Sequence, residues 1–242
     1  MTGKKNIIEV VDLVKKFGKF VANDHLNFSV RQGEIFGFLG ANGAGKTTTI
    51  KILSGLSKPS GGHASVAGYD VGREPEKVKK NIGYMSQHFS LYNDMTAREN
   101  FRFYGGIYGL SSRQIKERTE YYLDKLNMAE YGDKLLKSLP LGWKQKLAFS
   151  VANMHDPAVV FLDEPTGGVD PVTRRQFWEL IYESAEQGTT VFVTTHYMDE
   201  AEYCERISIM AQGRIVAMGT PQALKEEYEV PTMDDVFVKI AR

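Results

Sequence analysis

The sequence predicts an α/β fold, with a core of mainly parallel strands alternating with helices, an antiparallel β portion ahead of it and an inserted α-helical lobe. Three observations predict this. Short apolar runs at residues 34–39, 159–162 and 190–194 have the length and content of buried strands, and helical spacing separates them. Residues from about 95 to 150 turn helical in texture, and the segment before Gly40 shows no helical pattern. Strand–helix alternation is the pattern of a parallel sheet covered by helices.

Taken in order, residues 6–14 and 26–30 carry strand-like content with partial alternation. Gln32-Gly33 turns the chain into 34–39, and 48–56 reads as a helix ending near Pro59. Residues 64–67 and 82–85 are further short strands. Residues 97–110 and 114–127 lack proline and carry helical spacing, 138–144 interrupts them, and 144–154 resumes. After Pro157 the alternation returns with a strand at 159–162, a helix at 173–186, a strand at 190–194, then 198–204 and 207–210. Two small helices are expected at 221–228 and 233–241. With no repeat, low-complexity segment or linker, residues 1–242 are expected to form a single domain, its helical lobe at about 95–150 and its tail at about 221–242.

Bulk composition narrows the function. Hydrophobic residues make up 42% and charged residues 25%, the balance of an ordinary globular chain that needs no disulfide or structural metal. Lysine plus arginine equals aspartate plus glutamate at 30 each, which leaves no footprint for a nucleic-acid partner or anionic lipid. Cys204 is the only cysteine, so an intrachain disulfide and a four-thiolate zinc site are excluded, and a reducing cytoplasm is expected. The polar, basic N-terminus carries no signal-peptide pattern, and no apolar run approaches the roughly 18 residues of a spanning helix. Any work at a membrane is therefore expected to go through a partner.

The strongest motif is Gly40-Ala-Asn-Gly-Ala-Gly45-Lys46-Thr47, which fits G-x-x-x-x-G-K-[ST] between a buried strand and a helix. Its glycines let the backbone curl so that amides point at phosphate oxygens, with the helix N-terminus behind them. Nucleotide contacts are expected at Gly40, Ala41, Asn42, Gly43, Ala44, Gly45, Lys46, Thr47 and Thr48. Lys46 would reach the β- and γ-phosphates and the Thr47 hydroxyl would bind Mg²⁺.

Val159-Val-Phe-Leu-Asp163-Glu164 then ends a buried strand in two carboxylates. Adjacent side chains point different ways, so their roles can divide: Asp163 holding the metal, Glu164 orienting or deprotonating the attacking water. A solvated acidic turn is the plain alternative, and the upstream phosphate loop favours catalysis. Thr190-Val-Phe-Val-Thr-Thr195-His196 ends another strand, and in an open α/β sheet ligands bind beyond the carboxyl ends of the strands. His196 is therefore a candidate γ-phosphate contact.

These residues, in this order, resemble the nucleotide-binding domain of an ATP-binding cassette (ABC) transporter over about residues 7–217. The resemblance implies the ABC ATPase fold and Mg-dependent ATP hydrolysis coupled to translocation. It further implies roles for particular residues. Phe17 would stack on adenine, Gln87 would touch Mg²⁺ and sense the membrane partner, Asp170 would belong to the loop after the catalytic glutamate, and His196 would be the switch histidine. Catalytic roles then fall on Glu164, His196, Lys46 and Gln87, and metal contacts on Thr47, Gln87 and Asp163. Implied partners are a second ABC ATPase subunit, as homodimer or heterodimer, and integral-membrane permease subunits, placing the chain at the cytoplasmic face of the membrane.

One motif departs from the family. Where the family reads Leu-Ser-Gly-Gly-Gln, this chain has Leu139-Pro140-Leu141-Gly142-Trp143. Proline removes the serine hydroxyl and a backbone N–H. Losing a hydrogen bond to a charged phosphate costs roughly 1.5–3 kcal/mol. Either backbone amides do the clamping, or the chain is the weakened half of an asymmetric pair. The variant also resembles that of some ABC-2-type exporter subunits, and Asp234-Asp-Val-Phe-Val238 resembles the closing helix of drug-export subunits. By the same resemblance, contacts in trans to the nucleotide of the other subunit are expected from Leu139, Gly142, Trp143 and Asp170.

Aromatics cluster after Gln87: Phe89, Leu91, Tyr92, Phe101, Phe103, Tyr104 and Tyr108. They are expected to form part of a groove for a cytoplasmic helix of the permease. Two other functions compete. A soluble ABC ATPase of DNA repair or translation would carry long coiled coils, or two cassettes with a basic linker. A regulatory GTPase would carry Asn-Lys-x-Asp, and a kinase would lack the residues around Gln87 and His196, so neither alternative matches this chain.

Overall fold

The computed structural model describes residues 5–87 and 91–240, so the expectation for Phe89 lies outside the described residues. β1 (Asn6–Phe17) and β2 (Phe20–Arg31) form a long antiparallel hairpin. β4 (Gly61–Val66) pairs with the other edge of β1, and β5 (Tyr69–Asp70) completes a four-stranded antiparallel sheet.

The second sheet has six strands. β3 (Ile35–Gly40), β6 (Ile82–Met85), β7 (Val159–Asp163), β8 (Thr190–Thr195), β9 (Arg206–Ala211) and β10 (Arg214–Gly219) lie in the order β10-β9-β3-β8-β7-β6. Every pairing is parallel except that of the edge strand β10. β3, β7 and β8 are buried at every position, which is why they read as continuous apolar runs rather than alternating ones.

Helices cover this sheet: α1 (Lys46–Leu53), α2 (Pro75–Lys80), α3 (Ala97–Ile107), α4 (Ser112–Lys125), α5 (Leu141–Asn153), α6 (Pro171–Glu186), α7 (Pro221–Glu227) and α8 (Met233–Ile240). One core joins Phe36, Phe38, Phe161 and Phe192 to Phe28 of the antiparallel sheet and Ile50 of α1. The other joins Val160 and Val193 to Phe101, Leu123, Leu147, Phe177 and Trp178 of the helices. Burying these side chains stabilises the fold by about 1.5–3 kcal/mol each. Among the described residues no helix is long and apolar enough to cross a membrane.

Several boundaries differ from the sequence expectation, each for a local reason. α1 begins at Lys46, not Thr48, because left-handed Gly45 (φ 109°) ends the loop there. α5 begins at Leu141, not Lys144: Pro140 sits at the N-cap, and its carbonyl accepts from the amides of Trp143 and Lys144. The hairpin strands run well past the expected 6–14 and 26–30, carried by bulges that the alternation hid. Residues 198–203 form a 3₁₀ segment. β5, α2 and β10 were not foreseen; the first two are too short to establish a period, and β10 alternates only as an edge. Capping boxes at Thr96/Glu99 and Ser111/Gln114 fix the starts of α3 and α4.

His155 ties the helices to the sheet. Its Nε2–H donates to the Ile82 carbonyl of β6 at 3.0 Å, and its ring stacks on Tyr108 with centroids 3.7 Å apart. Burial pushes the imidazole down from 6.5 to about 4 and the Tyr108 phenol up to about 12. An unfolded chain therefore binds a proton near pH 6.5 that the folded one refuses until about pH 4. The stability this group contributes is complete above pH 6.5 and drains away as the pH falls through that window. Urea unfolding at pH 7 and pH 5 should show the parent losing roughly 2 kcal/mol more than His155→Phe does; equal losses would mean that His155 is protonated in the fold.

Candidate functional site

The carboxyl ends of β3, β7 and β8 lie side by side, with Asp163 opposite Thr194 and Leu39 opposite Thr195. The loop after β3, the carboxylates after β7 and the histidine after β8 therefore share one sheet edge. No single segment supplies the site.

Gly40 begins the loop where a Cβ would run into the Met210 carbonyl of β9, and a Cβ on Gly45 would strike the Ala22 carbonyl. Only glycine fits at either place. Asn23 of β2 locks the start of α1, donating to Gly45 O at 3.2 Å and Thr49 Oγ1 at 2.9 Å. Lys46 is almost fully buried, 4% exposed, and its Nζ donates to Gly40 O at 2.7 Å and Ala41 O at 3.1 Å. Burial pushes the ammonium below its ordinary range, and the Glu164 carboxylate 3.5 Å away pulls it back.

The two carboxylates divide as the chain leaves β7. Asp163 Oδ1 accepts from Thr194 Oγ1 at 2.7 Å and Thr47 Oγ1 at 3.3 Å. Its Oδ2 is buried with no hydrogen-bond partner among the described residues. An unpaired buried carboxylate oxygen beside a threonine hydroxyl is costly unless a cation completes it, so the pair fits a Mg²⁺ ion bound with few protein ligands. Glu164 adopts a left-handed φ of 50°, an unusual state for a side chain with a Cβ. Its amide donates to Thr194 Oγ1 at 3.0 Å, which holds the kink. The kink sends its carboxylate to a different set of partners. Gln87 Nε2 donates to Glu164 Oε2 at 2.9 Å, and His196 Nδ1 lies 3.0 Å from the same oxygen.

A cleft of about 340 Å³ opens in front of these groups, lined by Phe20, Ala22, Asn42, Gly43, Gly45, Lys46, Thr47, Thr48, Gln87 and Glu164. Its walls combine helix-terminal amides, a lysine and an apolar flank, the composition of an anion site with room for a ring.

Of the residues expected from sequence, Asn42, Gly43, Gly45, Lys46, Thr47, Thr48, Gln87 and Glu164 line this cleft, and Asp163 and His196 join it through Thr47 and Glu164. Gly40, Ala41 and Ala44 do not line it, and the last two face a neighbouring pocket beside Phe237 and Ile240. Phe17 does not line the cleft. It is 55% exposed on the β1–β2 hairpin with Lys15 Nζ 5.0 Å from its ring, while Phe20, across the hairpin turn, does line it. Phe20, Ala22 and Thr194 were missed. Two lie on a strand with no motif, and Thr194 is one of two adjacent threonines that sequence cannot tell apart.

Leu139, Gly142, Trp143 and Asp170 do not reach this cleft either; they gather on the α5–α6 side. Leu139 is buried in the core and Trp143 meets Tyr131 edge-on at 4.6 Å. A Cβ on Gly142 would strike Thr173. Asp170 caps α6, accepting from Thr173 N at 3.0 Å and Thr173 Oγ1 at 2.5 Å. Gln145 of α5 donates to the Gly167 carbonyl at 3.0 Å, fastening the loop after Glu164 to that helix.

A phosphate-binding loop, an adjacent metal-competent carboxylate and a second carboxylate at one edge of a parallel sheet define a P-loop nucleotide-binding protein. The family model for the ABC transporter matches residues 23–167. The chain is 46% identical over 244 residues to the "Probable multidrug ABC transporter ATP-binding protein YbhF" of Escherichia coli (strain K12), covering 99% of this chain and 42% of that one. It is 38% identical over 215 residues to the "Linearmycin resistance ATP-binding protein LnrL" of Bacillus subtilis (strain 168), covering 88% and 69%. Among solved structures, an ATP binding subunit of an ABC transporter superposes with a TM-score of 0.88 at 28% identity, covering 98% of this chain and all of that one. The chain belongs to the ABC transporter family and has the ABC ATPase fold. It spans less than half the length of the Escherichia coli relative.

Lys46 is the one buried cation lining the cleft among the described residues. Lys46→Ala should weaken nucleotide binding by roughly 10- to 100-fold, about 1.5–3 kcal/mol, in titration calorimetry. An unchanged Kd would mean that the phosphates bind elsewhere.

Proposed function

We propose that this chain is the ATP-binding and ATP-hydrolysing subunit of an ABC transporter of the ABC-2 export type, working as one of two cassettes that close on ATP and open on hydrolysis. The observation that carries this reading is the convergence of Lys46, Gln87 and His196 on the Glu164 carboxylate beside the phosphate loop. The names of the relatives, one a probable multidrug transporter protein and one a linearmycin resistance protein, favour export.

The chemistry follows from the side chains. The 40–48 segment binds the triphosphate, with Lys46 exchanging backbone carbonyls for phosphate oxygens of higher charge. Glu164 takes the proton of the attacking water, and His196 and Gln87 hold that carboxylate in place. Mg²⁺, when bound, neutralises charge on the phosphates, and Thr47, Asp163 and Gln87 would hold it. Positioning and charge carry the rate, since phosphoryl transfer asks little covalent chemistry of the protein.

This chain would supply Leu139, Gly142, Trp143 and Asp170 in trans to the nucleotide held by the second cassette, whether that cassette is identical or not. Exposed Leu141 and Val172 on that same side, 46% and 67% exposed, offer it an apolar contact. With Pro140 at the N-cap and its carbonyl taking the Trp143 and Lys144 amides, the Leu141 and Gly142 amides at the start of α5 are the groups left to face phosphate, and we favour a working clamp built from them. Residues 1–242 act as one cassette, with a helical lobe at about 95–150 and a tail at about 221–242. Phe101 belongs to the core, whereas Tyr92, Phe103 and Ile107 remain exposed, so these three would meet the permease. The permease holds the chain at the cytoplasmic face and selects the substrate, and no nucleic acid takes part.

Glu164→Gln should leave ATP affinity near the parent value, lower phosphate release by about 100-fold or more and populate an ATP-trapped dimer in size-exclusion runs. Turnover close to the parent rate would overturn the role given to Glu164.

A further inference from the structure

Beyond the residues already assigned, one buried carboxylate ties the catalytic loops together. Glu200, in the 3₁₀ segment after His196, is 0% exposed. Its Oε1 accepts from Thr166 Oγ1 at 2.5 Å, and Thr166, two residues after Glu164, is itself 1% exposed. The loops leaving β7 and β8 are thus joined by two parallel links, Glu164 to His196 and Thr166 to Glu200. Arg174 of α6 stands over the second link. Its Nε is 3.5 Å from Glu200 Oε1, its Nη1 donates to Asp199 at 3.3 Å, and its guanidinium lies 4.6 Å from the Tyr197 ring centre. The Tyr197 ring lies 4.1 Å from that of His196.

A fully buried carboxylate is retained against its desolvation cost only where it is paired and hydrogen-bonded. Glu200 has Arg174 and Thr166 for this, while its Oε2 finds no hydrogen-bond partner among the described residues. The link is short and buried. The alternative route between the two loops, through Glu164 itself, uses side chains that must respond to nucleotide. Something else has to hold the spacing while they do.

We infer that Glu200 is a positioning residue which, through Thr166 and with Arg174, fixes the spacing of Glu164 and His196. The inference rests on the ATPase reading above, so parent turnover in the same assay tests that reading, and the variants test this one.

Thr166→Val removes the link while keeping side-chain volume, Thr166→Ser keeps the hydroxyl, and Glu200→Gln removes the charge. Displacing a catalytic group by about 1 Å costs up to about 100-fold, so Thr166→Val and Glu200→Gln should lower kcat by roughly 10- to 100-fold. KM for ATP should stay within about twofold, because the phosphate loop is untouched. Thr166→Ser should restore most of kcat, and the Thr166→Val/Glu200→Gln pair should be no slower than either single variant. In nucleotide-free protein carrying ¹³C-labelled histidine, the His196 ring resonances should move in Thr166→Val and stay put in Arg113→Ala, a surface control. If kcat is unchanged, if the losses multiply, or if the His196 resonances do not move, the inference is wrong. Should Glu200→Gln fail to fold, Thr166→Val and Thr166→Ser still decide the matter.

Discussion

The carboxylate of Glu164 is the point on which the site depends. Three groups reach it from three separate elements: Lys46 from the start of α1, Gln87 from beyond β6 and His196 from beyond β8. A carboxylate that is only 9% exposed on its side chain would be expensive to bury alone. Here the same interactions that offset that cost also aim it. The left-handed backbone at Glu164 is the local strain that makes this possible, since it sends the carboxylates of Glu164 and Asp163 to different partners. The hydrogen bonds of Thr194 to both residues, one through the amide of Glu164 and one to Asp163 Oδ1, stabilise the arrangement.

The parallel sheet makes the convergence inevitable once the strands are in register. β3, β8 and β7 lie next to one another, so everything placed just after them falls at one edge. The antiparallel sheet contributes from the side: Asn23 fastens the phosphate loop, and Phe20 and Ala22 wall the cleft. The helical lobe joins through His155 and through Gln145, which grips the loop that follows Glu164. A movement of α5 would therefore be felt by the catalytic loop within one hydrogen bond.

Much of this was legible in the sequence because the site-bearing strands are buried on both faces and end in chemically distinctive residues. The 40–47 motif, Asp163-Glu164 and His196 could be placed at one edge from order alone. What could not be read was anything set by three-dimensional register or by a single backbone angle. Gln87 meets Glu164 across 77 residues of chain. The adenine-side aromatic is ambiguous because Phe17 and Phe20 flank the same hairpin turn and pair with each other, and only Phe20 lines the cleft. Glu200 looks like one more acidic residue in Met198-Asp-Glu-Ala-Glu-Tyr203, and only its complete burial sets it apart. The start of α5 differs from the expected residue 144 because Pro140 serves as the N-cap.

The most direct measurement is a crystal structure of the protein with Mg²⁺ and a non-hydrolysable ATP analogue. Lys46 should leave the Gly40 and Ala41 carbonyls for the phosphates, the metal should sit on Thr47 and Asp163, and Glu164 should stay within hydrogen-bond reach of His196. Phosphates bound away from the 40–47 loop, or a Glu164 carboxylate turned away from them while Lys46 keeps its present partners, would contradict the account.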